Sequence, residues 1–372
     1  SRCARRGRVA PSGWLVMSIL DLARPEIRAL QAYAAAEQVD DTIRLNANEA
    51  PRAVPGGNFR RPLNRYPEVR PQRLQSALAA RFGCQPGQLL VTRGSSEAID
   101  LVIRAFCRAG EDAVLVTSPT FSMYRHYAEV QGARLIEVAT SAVQDFAIDV
   151  QAILSACDDD TRVIFVCSPN NPTGTTLPHD ELQTLLSERG ARSAIVVDEA
   201  YVEFSGAASV MSLLERYDNL LVLRTLSKAL GFAGARCGAV AGPQPVIEML
   251  SAVQAPYALA TPVVECVEDA LQADRLEAAQ NAVAEIVAER ERVSLALARL
   301  PAVTRVWPSD ANFLLVRFAD ARGVLHHCGA QRVLLRHFGG SLEDCLRITI
   351  GTPAENDILL KALENFGESR DG

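Results

Sequence analysis

The sequence predicts an α/β fold: a large domain on a mostly parallel seven-stranded sheet between helices, followed by a smaller α+β domain. Three observations predict it. Seven short runs rich in Val, Ile and Leu, with little polar alternation, lie between residues 89 and 242, the pattern of strands buried on both faces. Helical patterns separate several of them, and strand–helix alternation implies parallel pairing under helices. The 372 residues exceed one ordinary core and suit a large and a smaller domain.

The elements follow in chain order. Arg2, Arg5, Arg6 and Arg8 precede a short apolar stretch that lacks the length and cleavage site of a signal peptide. Residues 1–17 are therefore expected to be a disordered extension, and 18–50 an arm joining the small domain. The large domain is expected over 51–257, with strands at 89–92, 113–117, 134–138, 163–167, 194–197, 220–224 and 237–241. Helices are expected at 97–108, 124–131 and 180–188. The small domain, 258–372, opens with an Ala-, Glu-, Arg- and Val-rich stretch without Pro or Gly at 263–299, which reads as one or two long helices. Strands at 313–318, 333–335 and 346–350 and a helix at 353–366 complete it.

Composition excludes several function classes. The net charge of −6 argues against nucleic acid or an anionic membrane as partner. No segment is long and apolar enough to span a bilayer. The nine cysteines are scattered singly without a CxxC pair, which points to a reducing, cytoplasmic setting. His326, His327 and Cys328 are adjacent but lack the spaced partners of a zinc site, so no metal is expected and a solvated turn or helix end is the plainer reading.

Four motifs fall at the ends of predicted strands, where ligands of open α/β sheets bind. Arg93-Gly94-Ser95-Ser96-Glu97 opens a helix with free N–H groups and hydroxyls, an anion site suited to phosphate; alone it also fits an ordinary N-cap. Ser168-Pro169-Asn170-Asn171-Pro172-Thr173-Gly174 is a loop stiffened by two prolines, which can hold the Asn171 amide toward a ligand oxygen. Asp198-Glu199-Ala200-Tyr201 puts a carboxylate straight after a buried strand, costly unless paired. A pyridinium N–H would pair it and Tyr201 could donate to a phenolic oxygen; a helix-capping Asp competes. Arg224-Thr225-Leu226-Ser227-Lys228 puts a lysine after a buried strand, where partial desolvation lowers an amine pKa as a Schiff-base lysine requires. Thr225, Ser227 and Arg236 can hold a phosphate beside it. The only other lysine is Lys361, in the C-terminal helix.

The order of these motifs resembles the fold-type I pyridoxal-5′-phosphate-dependent transferases, and more narrowly their histidinol-phosphate aminotransferase branch. The likeness runs from about Leu45 to Thr352. It takes in Leu45-Asn46-Ala47-Asn48-Glu49, Arg65-Tyr66-Pro67, Ser168–Gly174, Asp198–Tyr201, Thr225–Lys228, Gly234-Ala235-Arg236-Cys237-Gly238, and Cys345-Leu346-Arg347-Ile348-Thr349-Ile350-Gly351-Thr352. The resemblance implies that Lys228 is the catalytic residue and forms the Schiff base, that Asp198 pairs with the pyridine nitrogen, and that Asn171 and Tyr201 contact the ring oxygen. It implies that Tyr124 stacks on the ring and that Ser95, Ser96, Thr225, Ser227 and Arg236 hold the phosphate. Tyr66 would reach that phosphate from the neighbouring subunit of a homodimer. Arg347 would bind the substrate's anionic end, assisted by Arg336 and Tyr33. The family usually shows an acidic residue where Ser96 stands.

The implied reaction is amino transfer from L-glutamate to imidazole-acetol phosphate, giving L-histidinol phosphate and 2-oxoglutarate, a step of histidine biosynthesis. Aromatic amino-acid transamination and threonine-phosphate decarboxylation are rivals on the same fold. A cofactor-binding regulatory domain is a rival of another class, disfavoured by the short stretch before the likeness begins. A purely structural role would leave Lys228 and Asp198 buried without partners.

Overall fold

The computed structural model describes residues 18–33, 36, 38, 42–54 and 59–368. The expected extension at 1–17 lies outside them. Seven strands form the larger sheet: β1 Leu89–Thr92, β2 Ala113–Ser118, β3 Arg134–Ala139, β4 Thr161–Cys167, β5 Ala194–Asp198, β6 Leu220–Thr225 and β7 Gly238–Ala241. Their order is β1-β7-β6-β5-β4-β2-β3, parallel from β3 through β6, with β7 antiparallel to both its neighbours. Alternate residues fill two separate cores, Leu115, Ile164, Ile195 and Val222 on one face and Val114, Val163, Val196 and Leu221 on the other. That two-sided burial is why these runs are apolar throughout rather than alternating. β3 departs from the expectation: it is the edge strand, and Arg134 and Glu137 stand exposed on it.

Helices α1 Pro25–Arg28, α2 Gln72–Phe82, α3 Ser95–Phe106, α4 Met123–Gln131, α5 Val150–Ala156, α6 His179–Arg189 and α7 Gln244–Val253 cover the sheet. Residues 18–28 lie on this large domain rather than joining the small one. Ile19 and Ala23 are buried in the core that holds α3 and α7, and the Arg24 N–H donates to Ala105 O at 3.0 Å.

The Ala-, Glu-, Arg- and Val-rich stretch after Pro256 forms two helices, α8 Thr261–Ala270 and α9 Ala273–Leu297. The rest of the chain is β8 Val303–Val306, β9 Phe313–Phe318, α10 Ala321–Ala330, β10 Arg336–His337, β11 Cys345–Thr349 and α11 Pro353–Glu368, with an antiparallel sheet ordered β10-β11-β9-β8. The strand expected at 333–335 starts three residues later. Val333 ends the α10 connection by donating to Cys328 O, and pairing starts only where Arg336 faces Arg347. His326 to Cys328 lie in the C-terminal half of α10, where His327 Nε2 is 3.0 Å from Ala362 O and 2.7 Å from Gln331 Nε2. Two clusters join the domains: Tyr201, Phe204 and Ala229 pack on Ala311 and Phe313, and Phe146 packs on Trp307. Arg290 of α9 fastens them, donating to Phe204 O at 3.1 Å and Ala311 O at 2.8 Å.

Candidate active site

The four motifs converge at the carboxyl edge of the larger sheet on a cavity of about 270 Å³. The first turn depends on glycine. Gly94 has φ +76°, and a Cβ there would sit 2.8 Å from Arg236 Nη2. A Cβ on Gly238 would meet Gly94 C, Ser95 N and Arg224 O at 2.8 Å, so β7 can lie against this turn only without a side chain. α3 then begins at Ser95 without a side-chain cap, leaving first-turn N–H groups for an anion. Arg236 holds a left-handed backbone, φ +52°, at a cost of order 1 kcal/mol. Its Nη1 approaches Ser227 Oγ at 3.5 Å, and Thr225 Oγ1 donates to the same oxygen at 3.0 Å. Ser95, Ser96, Thr225, Ser227 and Arg236 are thereby brought together in the cavity wall.

Asp198, the last residue of β5, is 2% exposed. Its Oδ1 accepts the Ala200 N–H at 3.1 Å and its Oδ2 accepts the Tyr124 hydroxyl at 2.8 Å. No arginine or lysine among the described residues forms an ion pair with it. Burial pushes its carboxyl up to about 6, against the hydrogen bonds from Tyr124 and Ala200. Lys228 lines the cavity but is exposed rather than buried, because it projects into open space. Partial desolvation, then the charge of Arg347, holds its amine below the ordinary lysine value.

The small domain closes the far wall. Arg347, on β11, donates from Nη1 to Asn171 Oδ1 at 2.5 Å, and Asn171 Nδ2 donates to the Tyr201 hydroxyl at 3.3 Å. Tyr201 therefore keeps its own O–H to donate, and burial pushes that phenol up, so it stays protonated. The Asn171 loop is clasped from the small domain by the Asp310 N–H, 2.8 Å from Gly174 O. Arg347 Nε is buried without a hydrogen-bond partner, while the guanidinium lies over Phe313 at 5.3 Å.

Four expected residues stand elsewhere. Tyr124 does not face the cavity: it is fully buried, stacked on Phe165 at 4.7 Å, with its hydroxyl on Asp198. The aromatic ring in the cavity wall is Phe121, which sequence reasoning missed although Pro119-Thr120-Phe121 follows β2 as the other motifs follow their strands. Arg336 is exposed on β10, paired across the strands with Arg347, and its guanidinium lies over Phe338. Tyr33 and Tyr66 line a second, more open cavity of about 760 Å³ with Arg44, Arg61 and Arg65, where Tyr66 stacks on Tyr257 at 4.7 Å. That cavity contains none of the residues of the four motifs.

The chain matches the family described as aminotransferase class I and II over residues 40–363. The chain belongs to the class I and II aminotransferases. It is 44% identical over 355 residues to the histidinol-phosphate aminotransferase of Xylella fastidiosa (strain 9a5c), covering 94% of this chain and 97% of that one. It is 43% identical over 358 residues to the protein of that name from Xanthomonas axonopodis pv. citri, covering 95% and 98%. The fold is also that of the Sinorhizobium meliloti histidinol-phosphate aminotransferase solved with pyridoxal-5′-phosphate, with a TM-score of 0.76, 23% identity and coverage of 83% and 84%.

The cofactor of this aminotransferase is pyridoxal 5′-phosphate, and the cavity's donor set fits it. A buried carboxylate without a cation suits a pyridinium N–H. An uncapped helix N-terminus beside Arg236 and two hydroxyl-bearing turns suits a phosphate, in a cradle that a Cβ at Gly94 would crowd against Arg236. A lysine with a lowered pKa suits a carbonyl carbon.

Proposed function

We propose that this aminotransferase moves the amino group of L-glutamate to imidazole-acetol phosphate, reversibly, giving L-histidinol phosphate and 2-oxoglutarate. Support comes from relatives of that name at 43–44% identity over almost their whole lengths. The observation that carries the reading is the state of Arg347: Nη1 is spent on Asn171, and the buried Nε has no partner. The Nε–Nη2 edge of a guanidinium is a planar fork for a carboxylate or a phosphate. Glutamate carries a carboxylate at its reacting carbon and histidinol phosphate a phosphomethyl group, so one fork serves both.

Pyridoxal phosphate, when bound, supplies a carbonyl carbon that exchanges one amino group for another and a ring that withdraws electrons. Lys228 would hold that carbon through Nζ. Partial desolvation lowers the pKa of Nζ, which favours its neutral form, and from the cavity wall Nζ would move the proton at the substrate carbon. Asp198 would pair with the ring nitrogen and keep it protonated, Asn171 and Tyr201 would donate to the ring oxygen, and Phe121 would supply an aromatic wall beside the ring. Ser95, Ser96, Thr225, Ser227 and Arg236 hold the phosphate. In the same reading the enzyme is a cytoplasmic homodimer in which Tyr66, 51% exposed in one chain, reaches the neighbour's phosphate, while Tyr33 and Arg336 assist Arg347 at the substrate.

The test is turnover with glutamate as donor and either imidazole-acetol phosphate or phenylpyruvate as acceptor. A higher kcat/KM for the phosphate ester is expected. A preference for phenylpyruvate overturns the reading in favour of an aromatic aminotransferase.

A further inference from the structure

We propose that Tyr124 is a positioning residue for Asp198: it fixes the carboxylate from the protein side and keeps it ionised for the cofactor's ring nitrogen. The inference rests on the role given to Asp198 above. It gives Tyr124 a task through another residue instead of direct contact with the cofactor.

The geometry leaves little freedom. Tyr124 lies in the first turn of α4, its ring stacked on Phe165 at 4.7 Å and 11°, with the edge of Phe121 against it at 5.7 Å and 86°. Held on two sides, the ring delivers its hydroxyl to Asp198 Oδ2 at 2.8 Å, beside the Cys167 thiol. The Ala200 N–H takes Oδ1 at 3.1 Å. These two donors set the plane of the carboxylate, and its remaining lone pairs are those available to the cavity, which Asp198 lines.

Charge follows from the same contacts. A carboxylate this buried is driven toward its neutral form, and a hydrogen bond to the anion opposes that drive. The groups facing it are Tyr124 from α4, Cys167 from β4, Glu199 and Tyr201 beside it in sequence, and Lys228 after β6. Burial pushes Cys167 and Tyr201 up, out of the working range. Glu199 is engaged with Arg224 at 3.2 Å. Burial likewise pushes the Tyr124 phenol well above its ordinary value, so it remains a protonated donor at every working pH. Removing that one hydroxyl raises the pH at which Asp198 ionises, and near neutrality part of the protein then lacks the charge that retains the ring N–H.

The experiment measures the dissociation constant of pyridoxal phosphate from the apo-protein between pH 5.5 and 9. It compares the wild type with Tyr124→Phe, Asp198→Asn and Phe165→Leu. Tyr124→Phe keeps the ring and its stacking, so the fold should survive. The midpoint of its affinity profile should move up by about one pH unit, with cofactor held roughly eightfold more weakly near pH 5.5, about twofold more weakly at pH 7, and the deficit vanishing near pH 9. Phe165→Leu removes one of the two walls that aim the Tyr124 hydroxyl, so it should lower the melting temperature and move that midpoint in the same direction, by less than Tyr124→Phe does. An unmoved midpoint in Tyr124→Phe while Asp198→Asn weakens binding overturns the role of Tyr124 only. A silent Asp198→Asn overturns the Asp198 assignment, and the role of Tyr124 falls with it.

Discussion

Replacing Arg347 by lysine should weaken glutamate and histidinol phosphate together. In the free protein Arg347 spends Nη1 on Asn171 Oδ1 at 2.5 Å and leaves Nε buried and unpartnered. Two parallel N–H donors therefore remain for an incoming anion, each a charge-assisted contact of about 1.5–3 kcal/mol. A lysine ammonium offers a point charge on a different stem and cannot hold Asn171 and both anion oxygens at once. The expected net loss is about 2–5 kcal/mol in kcat/KM, or roughly 30-fold to several-thousand-fold. Part of it enters through Asn171, whose amide also bonds Tyr201 at 3.3 Å. The assay is steady-state kcat/KM for each amino donor in both proteins, with circular dichroism to confirm the fold. If either substrate is spared, the two anions do not share one fork.

Three further outcomes are expected. Lys228→Ala should lose amino transfer almost wholly, and borohydride, which should fix the cofactor to the wild-type chain, should leave it extractable from the variant. Asp198→Asn should cost more than tenfold in kcat, more than about 1.4 kcal/mol, with the fold retained. Because burial raises the Asp198 carboxyl from 3.8 to about 6, its folded-state contribution is complete below the lower value and lost as pH rises through the upper one. The melting temperature of the apo-protein should therefore fall between about pH 4 and pH 6 by more than that of apo Asp198→Asn; parallel curves would refute the shift. Gly238→Ala drives a methyl onto three backbone atoms at 2.8 Å and should destabilise by about 1–3 kcal/mol while weakening cofactor retention, as urea titration and dialysis would show. A variant of wild-type stability and affinity would mean that the turn at Gly94 moves aside freely.

The seven strands of the large domain were legible in the sequence because each is buried on both faces and so carries an unbroken apolar run. The sequence alone also located the chemistry, since Asn171, Asp198, Thr225 and Lys228 each follow such a run, and parallel strands bring their carboxyl ends to one edge. Which side chain turns into the cavity was another matter. Phe121 and Tyr124 are both aromatic and three residues apart, and only the start of α4 at Met123 and the slot beside Phe165 send Tyr124 inward to Asp198 and leave Phe121 at the wall. The reach of Arg347 to Asn171, 176 residues away in sequence, depends on how the small domain docks, through Arg290 and the Tyr201–Phe313 contact. The position of residues 18–28 was equally hidden: Ile19 and Ala23 are ordinary apolar residues until the surface of α3 and α7 offers them a core. Local pattern determined the elements and their chemical endings; long-range packing decided which of those endings touch, because contact between distant segments is fixed by the shape of the surfaces that meet and leaves no periodic mark in the chain.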